Sequence, residues 1–95
     1  MTFSIEVGRC EGGCHRLFFL KQGKDIIGFD FQEAEETEGE TEVRLQFFLA
    51  DHGVIDTSTR KSLVEEALRI IRGGELRILD NDPDFLAESW LAFLS

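Results

Sequence analysis

The chain predicts one α+β domain: a four-stranded antiparallel β-meander, then a helix, a short strand and a C-terminal helix (ββββαβα) over residues 1–95. Three observations carry that prediction. The first half alternates apolar and polar residues with the two-residue period of strands. The second half holds two stretches with apolar residues at helical spacing. The strands are joined by short connections, which favours antiparallel neighbours.

The first strand is read from Phe3, Ile5 and Val7, which alternate with Thr2, Ser4 and Glu6. A Glu-Gly-Gly turn follows, and Leu17 to Leu20 forms the second strand. Gly23, between Lys21 and Lys24, suits a two-residue hairpin turn that needs positive φ. Ile26 to Phe31 forms the third strand. The run 33–42 carries six Glu and no base, and reads as an acidic hairpin loop. Glu42 to Ala50 is read as the fourth strand, because Val43, Leu45, Phe47 and Leu49 alternate.

Asp51 to Thr59 is a loop rich in capping residues. The first helix starts at Ser58 or Thr59, or at the capping box Ser62-Leu-Val-Glu65. Its apolar face is Leu63, Val64, Ala67, Leu68 and Ile71, and Gly73-Gly74 ends it. Leu76 to Leu79 makes the short strand. Asp82 then caps the last helix, with Pro83 at its first position and Phe85, Leu86, Trp90, Phe93 and Leu94 on its apolar face.

Hairpin registers follow from facing Cys10 with Cys14 and Leu20 with Asp25. One sheet face then gathers Phe3, Ile5, Val7, Leu17, Phe19 and Ile26. The other gathers Phe18, Leu20, Ile27, Phe29 and Phe31. Two apolar faces are unusual in an antiparallel sheet. Either the helices cover opposite faces, or one face is buried against a partner, most simply a second copy.

Composition narrows the function classes. Apolar residues make up 42% of the chain, enough for a core, and the aromatics are nine Phe, one Trp and no Tyr. Phe supplies buried area without a polar handle, so these rings read as core. The net charge is −9, which repels nucleic acid and anionic lipid. No segment is apolar for long enough to span a membrane. The first residues lack the apolar run of a signal peptide. The expected setting is the cytoplasm, with reduced thiols.

Candidate sites are few. Gly8 to Arg16, GRCEGGCHR, holds both cysteines and one of the two histidines. Cys10, Cys14, His15 and His52 match the donor types of a zinc site. However, three residues separate the cysteines, and adjacent residues on a strand point to opposite faces. A disulfide between Cys10 and Cys14 is the other chemical alternative. The reading taken is a plain hairpin turn, with no metal or other cofactor. Asp51-His52 has the composition of an acid–base pair but lacks a nucleophile in context. Asp80-Asn-Asp-Pro-Asp84 lacks the Gly and Glu positions of a calcium loop and reads as a helix cap.

The expected function is a non-enzymatic protein-interaction module, homodimeric and of inhibitor or immunity type. Its acidic run (Glu33, Glu35, Glu36, Glu38 and Glu40) and the apolar Phe18, Phe29 and Phe31 would meet a partner, including a basic protein. The alternatives are a small-molecule-binding domain with a Phe-lined pocket, and a metal or redox protein working through Cys10 and Cys14.

Overall fold

The computed structural model describes residues 2–74 and 76–79. Their order is β1 (Phe3–Arg9), β2 (His15–Gln22), β3 (Asp25–Glu33), α1 (Glu38–Asp51), α2 (Thr57–Gly73) and β4 (Arg77–Ile78). The α+β class holds. The expected C-terminal helix and the Asp80–Asp84 cap lie outside the described residues.

The sheet order is β3-β2-β1-β4. β1, β2 and β3 form the antiparallel meander, but β4 runs parallel to β1, so the sheet is mixed. The long return through both helices brings β4 back beside β1 in the same direction.

The expected fourth strand, Glu42 to Ala50, is instead the body of α1. Thr37 starts this helix with a capping box: its hydroxyl accepts from Glu40 N–H at 3.2 Å, and the Glu40 carboxylate accepts from Thr37 N–H at 3.4 Å. Thr41, Leu45, Phe48 and Leu49 share the buried face, at helical spacing. The acidic run is therefore no hairpin loop. It is the end of β3, one turn and the first turn of α1, where Glu38 and Glu40 suit the positive end of the helix dipole.

α2 matches its expected span closely. Asp56, slightly earlier than the expected start, caps it by accepting from Thr59 N–H at 2.8 Å. Gly74, in the left-handed region at φ 77°, closes it.

The registers differ from expectation by one residue. Val7 faces Phe18 and Ile5 faces Leu20, because Arg9 pairs with Arg16 and Cys10 N–H donates to His15 O at 3.2 Å. A one-residue slip moves a whole set of side chains to the other face. Ile5, Val7, Phe18 and Leu20 therefore lie together, under Leu45, Phe48, Leu49, Leu63, Val64, Ala67 and Leu68 of the two helices. Each of these side chains except the small Ala67 stabilises the fold by about 1.5–3 kcal/mol on burial. Leu17, Phe19, Ile26 and Leu79 form a second cluster on the opposite face, with Phe29 packed against it. Between β2 and β3, a bulge at Leu20/Lys21 shifts the ladder so that Lys21 faces Ile26.

Both faces are thus apolar, as expected, and the two described helices, α1 and α2, cover the same one; the expected C-terminal helix, which the alternative of opposite faces required, lies outside the described residues. The second cluster is already buried within a single chain: Phe19 is 2% exposed and Leu79 0%. It supplies no reason of its own for a second copy. No described helix is long and apolar enough to cross a membrane.

Candidate functional site

Among the described residues, four large apolar side chains are exposed, and three of them gather around one edge. Val43 (57% exposed) and Phe47 (67%) stand one turn apart on α1, outside its buried stripe. Phe31 (52%) lies on β3, stacked beside Phe29 with ring centroids 6.1 Å apart. Among the described residues, β3 is one of the two outer strands of the sheet, opposite β4. Val43 and Phe47 belong to the helix-covered side, whereas Phe29 and Phe31 lie on the opposite face. The edge of β3 runs between two apolar flanks.

The backbone of that edge can be assigned. Ala34 N–H donates to Cys14 O at 3.0 Å, in the same register as the β2–β3 ladder. Antiparallel pairs alternate, so Arg16–Gln32 and Phe18–Asp30 exchange hydrogen bonds, while Phe31 and Glu33 direct their backbone groups outward. The Phe31 N–H is taken by the Asp30 carboxylate at 2.8 Å. A charged side chain folded onto an outer strand is a usual protection against indiscriminate pairing.

An open groove of about 770 Å³ lies between β3 and α1. Phe29, Val43, Phe47 and Phe48 line it, together with the carboxylates of Asp30, Glu36, Glu40 and Asp51. Arg44 is the cation in that lining, and it lies 3.7 Å from Asp30 and 3.4 Å from Glu36. The groove keeps a negative balance. Beneath it, the buried Thr41 hydroxyl donates to Gln32 Oε1 at 2.9 Å, tying α1 to β3. Gln32 Nε2 in turn donates to Glu36, which with Arg44 holds the Glu36 carboxyl below its ordinary pKa.

The sequence-predicted partner residues separate into four groups. Phe31 is exposed and Phe29 half-buried, at the edge. Glu33 and Glu35 are exposed beside it. Glu36, Glu38 and Glu40 carry structural bonds, to Gln32 and Arg44, to Arg72, and to the Thr37 cap. Phe18 is a correction: it is 0% exposed under the helices, because the register slip turns it inward, and no partner reaches it. Sequence reasoning missed Val43, Phe47, Asp30 and Arg44. The available signal was a pair of apolar residues four apart, displaced from the stripe that Thr41, Leu45 and Phe48 define.

The second constellation is the β1–β2 loop. Cys10 Sγ and Cys14 Sγ lie 3.4 Å apart, and Cys14 Sγ lies 3.1 Å from His15 Nδ1. Cys14 precedes β2, so strand alternation does not separate it from His15. Gly13 makes the turn at φ 74°, a conformation glycine adopts without strain. The Cys14 side chain, and then the His15 backbone, hold the Cys10 thiol down at about 6. The cysteines form no disulfide.

His52 is not part of this cluster. Its Nδ1 donates to Phe48 O at 2.9 Å, its ring lies 4.8 Å from that of Phe48, and it packs on Gly28, where a Cβ would meet the ring at 2.6 Å. That is the work of a residue closing a helix end, and its bond goes to backbone rather than to Asp51.

A smaller hollow of about 250 Å³ is lined by Cys10, His15, Leu17, Phe19, Phe29, Phe31 and Leu79. It is Phe-lined, as the small-molecule alternative requires, but lies on the face away from the helices and falls below the usual range of about 300–1,000 Å³. Comparison of the chain with protein-family models, curated proteins and solved structures gave no significant match.

Proposed function

We propose that this chain is a protein-interaction module that captures an extended, basic segment of a partner along the outer edge of β3. The observation that carries this reading is the edge itself: exposed Phe31 on one side, exposed Val43 and Phe47 on the other, and a rim of carboxylates. Adding a strand to a sheet edge draws affinity from backbone hydrogen bonds and specificity from alternate side chains. Apolar anchors within a charged rim suit that division of labour.

Charge selects the occupant. The groove balance is negative, and Glu33 and Glu35 extend it. A second copy of a chain carrying −9 brings like charge to this edge, which costs affinity. Lys or Arg on the incoming segment gains Asp30 and Glu40. A basic side chain that draws the Asp30 carboxylate away from the strand leaves the Phe31 N–H for an incoming carbonyl. The guarded edge then opens preferentially to a basic strand.

Selection from a random-peptide display library tests the reading. The expected binders alternate apolar residues with Lys or Arg. They lose at least about tenfold in affinity to the Phe47→Lys variant, a change of about 1.4 kcal/mol, and weaken as salt rises. Binders without basic residues, binders indifferent to Val43→Lys and Phe47→Lys, or no enrichment overturn it. So does a dimer, seen by sedimentation, that Phe47→Lys dissociates, because the occupant is then a second copy.

A further inference from the structure

The β1–β2 loop plays no part in capturing a strand, yet it brings three side chains of one chemistry to one point. We propose that Cys10, Cys14 and His15 form a binding site for a thiophilic divalent metal ion of the zinc type, with three protein donors and one position left for water or an outside ligand.

The geometry argues for it first. Cys10 Sγ, Cys14 Sγ and His15 Nδ1 all lie within 4.8 Å of one another. Two of the three separations are 3.4 Å and 3.1 Å. Zinc–sulfur bonds of about 2.3 Å in a tetrahedron set two sulfurs about 3.8 Å apart. The donors therefore stand close to where the ion needs them, and small side-chain rotations complete the fit.

The donors are also held. Gly13 N–H donates to Cys10 O at 2.9 Å and Cys10 N–H to His15 O at 3.2 Å, which closes the loop. Ala34 N–H donates to Cys14 O at 3.0 Å and anchors the loop to the end of β3. The His15 ring meets Phe31 edge-on, with centroids 5.5 Å apart. A hollow beside Cys14 and His15 is also lined by Glu33 and Glu35, and their negative potential raises the local concentration of cations.

The donor set chooses the ion. Thiolate and imidazole suit zinc and its softer neighbours, whereas calcium and magnesium take oxygen donors. A disulfide uses only the two sulfurs and leaves the approach of His15 without a role. Three protein donors with one open position is the arrangement that keeps an exchangeable ligand. The hollow lined by Leu17, Phe19 and Phe31 adjoins Cys10 and His15, so an outside ligand with an apolar body has a place to lie.

The experiment uses the whole chain, reduced with a metal-free phosphine. Native mass spectrometry after zinc addition and desalting is expected to show one zinc per chain. Cobalt in its place is expected to give a thiolate-to-metal charge-transfer band. Losing an outer-shell partner of a metal ligand costs about 10–100-fold in affinity, so losing a donor costs at least as much. Cys10→Ser, Cys14→Ser and His15→Ala should each weaken zinc by that factor, with His52→Ala unchanged. Circular dichroism of each variant checks that it remains folded, so that lost zinc is not lost structure. A reduced chain that takes up no zinc overturns the proposal. So do a Cys10→Ser/Cys14→Ser double variant that binds it equally well, and a site weakened by His52→Ala but not by His15→Ala.

Discussion

α1 and α2 are alike in length, 14 and 17 residues, and each begins with a side-chain cap. They place their apolar side chains differently. α2 buries Leu63, Val64, Ala67 and Leu68 along one stripe and turns charge outward. α1 buries Leu45, Phe48 and Leu49, then carries a second apolar pair, Val43 and Phe47, into solvent. A helix that only has to fold needs the first stripe. The second lies along the outer strand, exposed, where it adds little to the fold and is open to the strand capture proposed above.

Stability measurements can break that comparison, and the largest effect belongs to the shared core. Leu49→Ala in α1 and Leu68→Ala in α2 should each cost about 2–5 kcal/mol in denaturant unfolding. Phe47→Ala should stay within about 0.5 kcal/mol, as for an exposed site. If Phe47→Ala costs as much as Leu49→Ala, the two stripes of α1 are not different in kind.

Caps come next. Thr37→Ala removes half of the capping box on α1 and should cost about 1 kcal/mol by thermal unfolding. Acid sharpens the same point. Glu36, Glu38 and Asp56 all have folded pKa values below their ordinary ones, held down first by Gln32, Arg72 and Thr59 respectively. A carboxylate depressed on folding contributes stability above its unfolded pKa of about 4, lost as pH falls through the folded value. Unfolding followed from pH 6 downward should show stability declining below about pH 4, and Glu36→Gln should flatten the decline. The smallest effect is expected at the exposed Glu66–Arg69 pair of α2. Arg69→Ala should change stability by under about 0.5 kcal/mol, and salt should erase the difference.

The same contrast explains what the sequence disclosed. α2 is legible because its period, its Gly73-Gly74 end and its charge order agree. The meander is legible from the alternation in Phe3 to Val7 and from Gly23. α1 misleads because Val43 and Phe47, added to Leu45 and Leu49, imitate the period of a strand. Only Phe48 and the Thr37–Glu40 box point to helix. The residues that spoil the pattern are those assigned to the partner, which is where local rules are expected to give way.

Register is less legible for a different reason. Facing Cys10 with Cys14 presumes a symmetric turn, whereas Gly13 in the left-handed region places Cys10 opposite His15. That single residue moves Phe18 from a candidate contact into the core. The same turn brings Cys14 and His15 together, against the alternation rule, because Cys14 lies before the strand begins.

The most direct test of the central claim pairs two readouts on one variant. Phe47→Lys is measured for melting temperature and for affinity toward the strongest basic peptide selected from the display library. The melting temperature is expected within a few degrees of the parent, on the order of a 0.5 kcal/mol change, with affinity reduced at least about tenfold. A collapsed melting temperature with affinity intact would contradict that claim, and would make the exposed stripe of α1 part of the fold rather than a place for a partner.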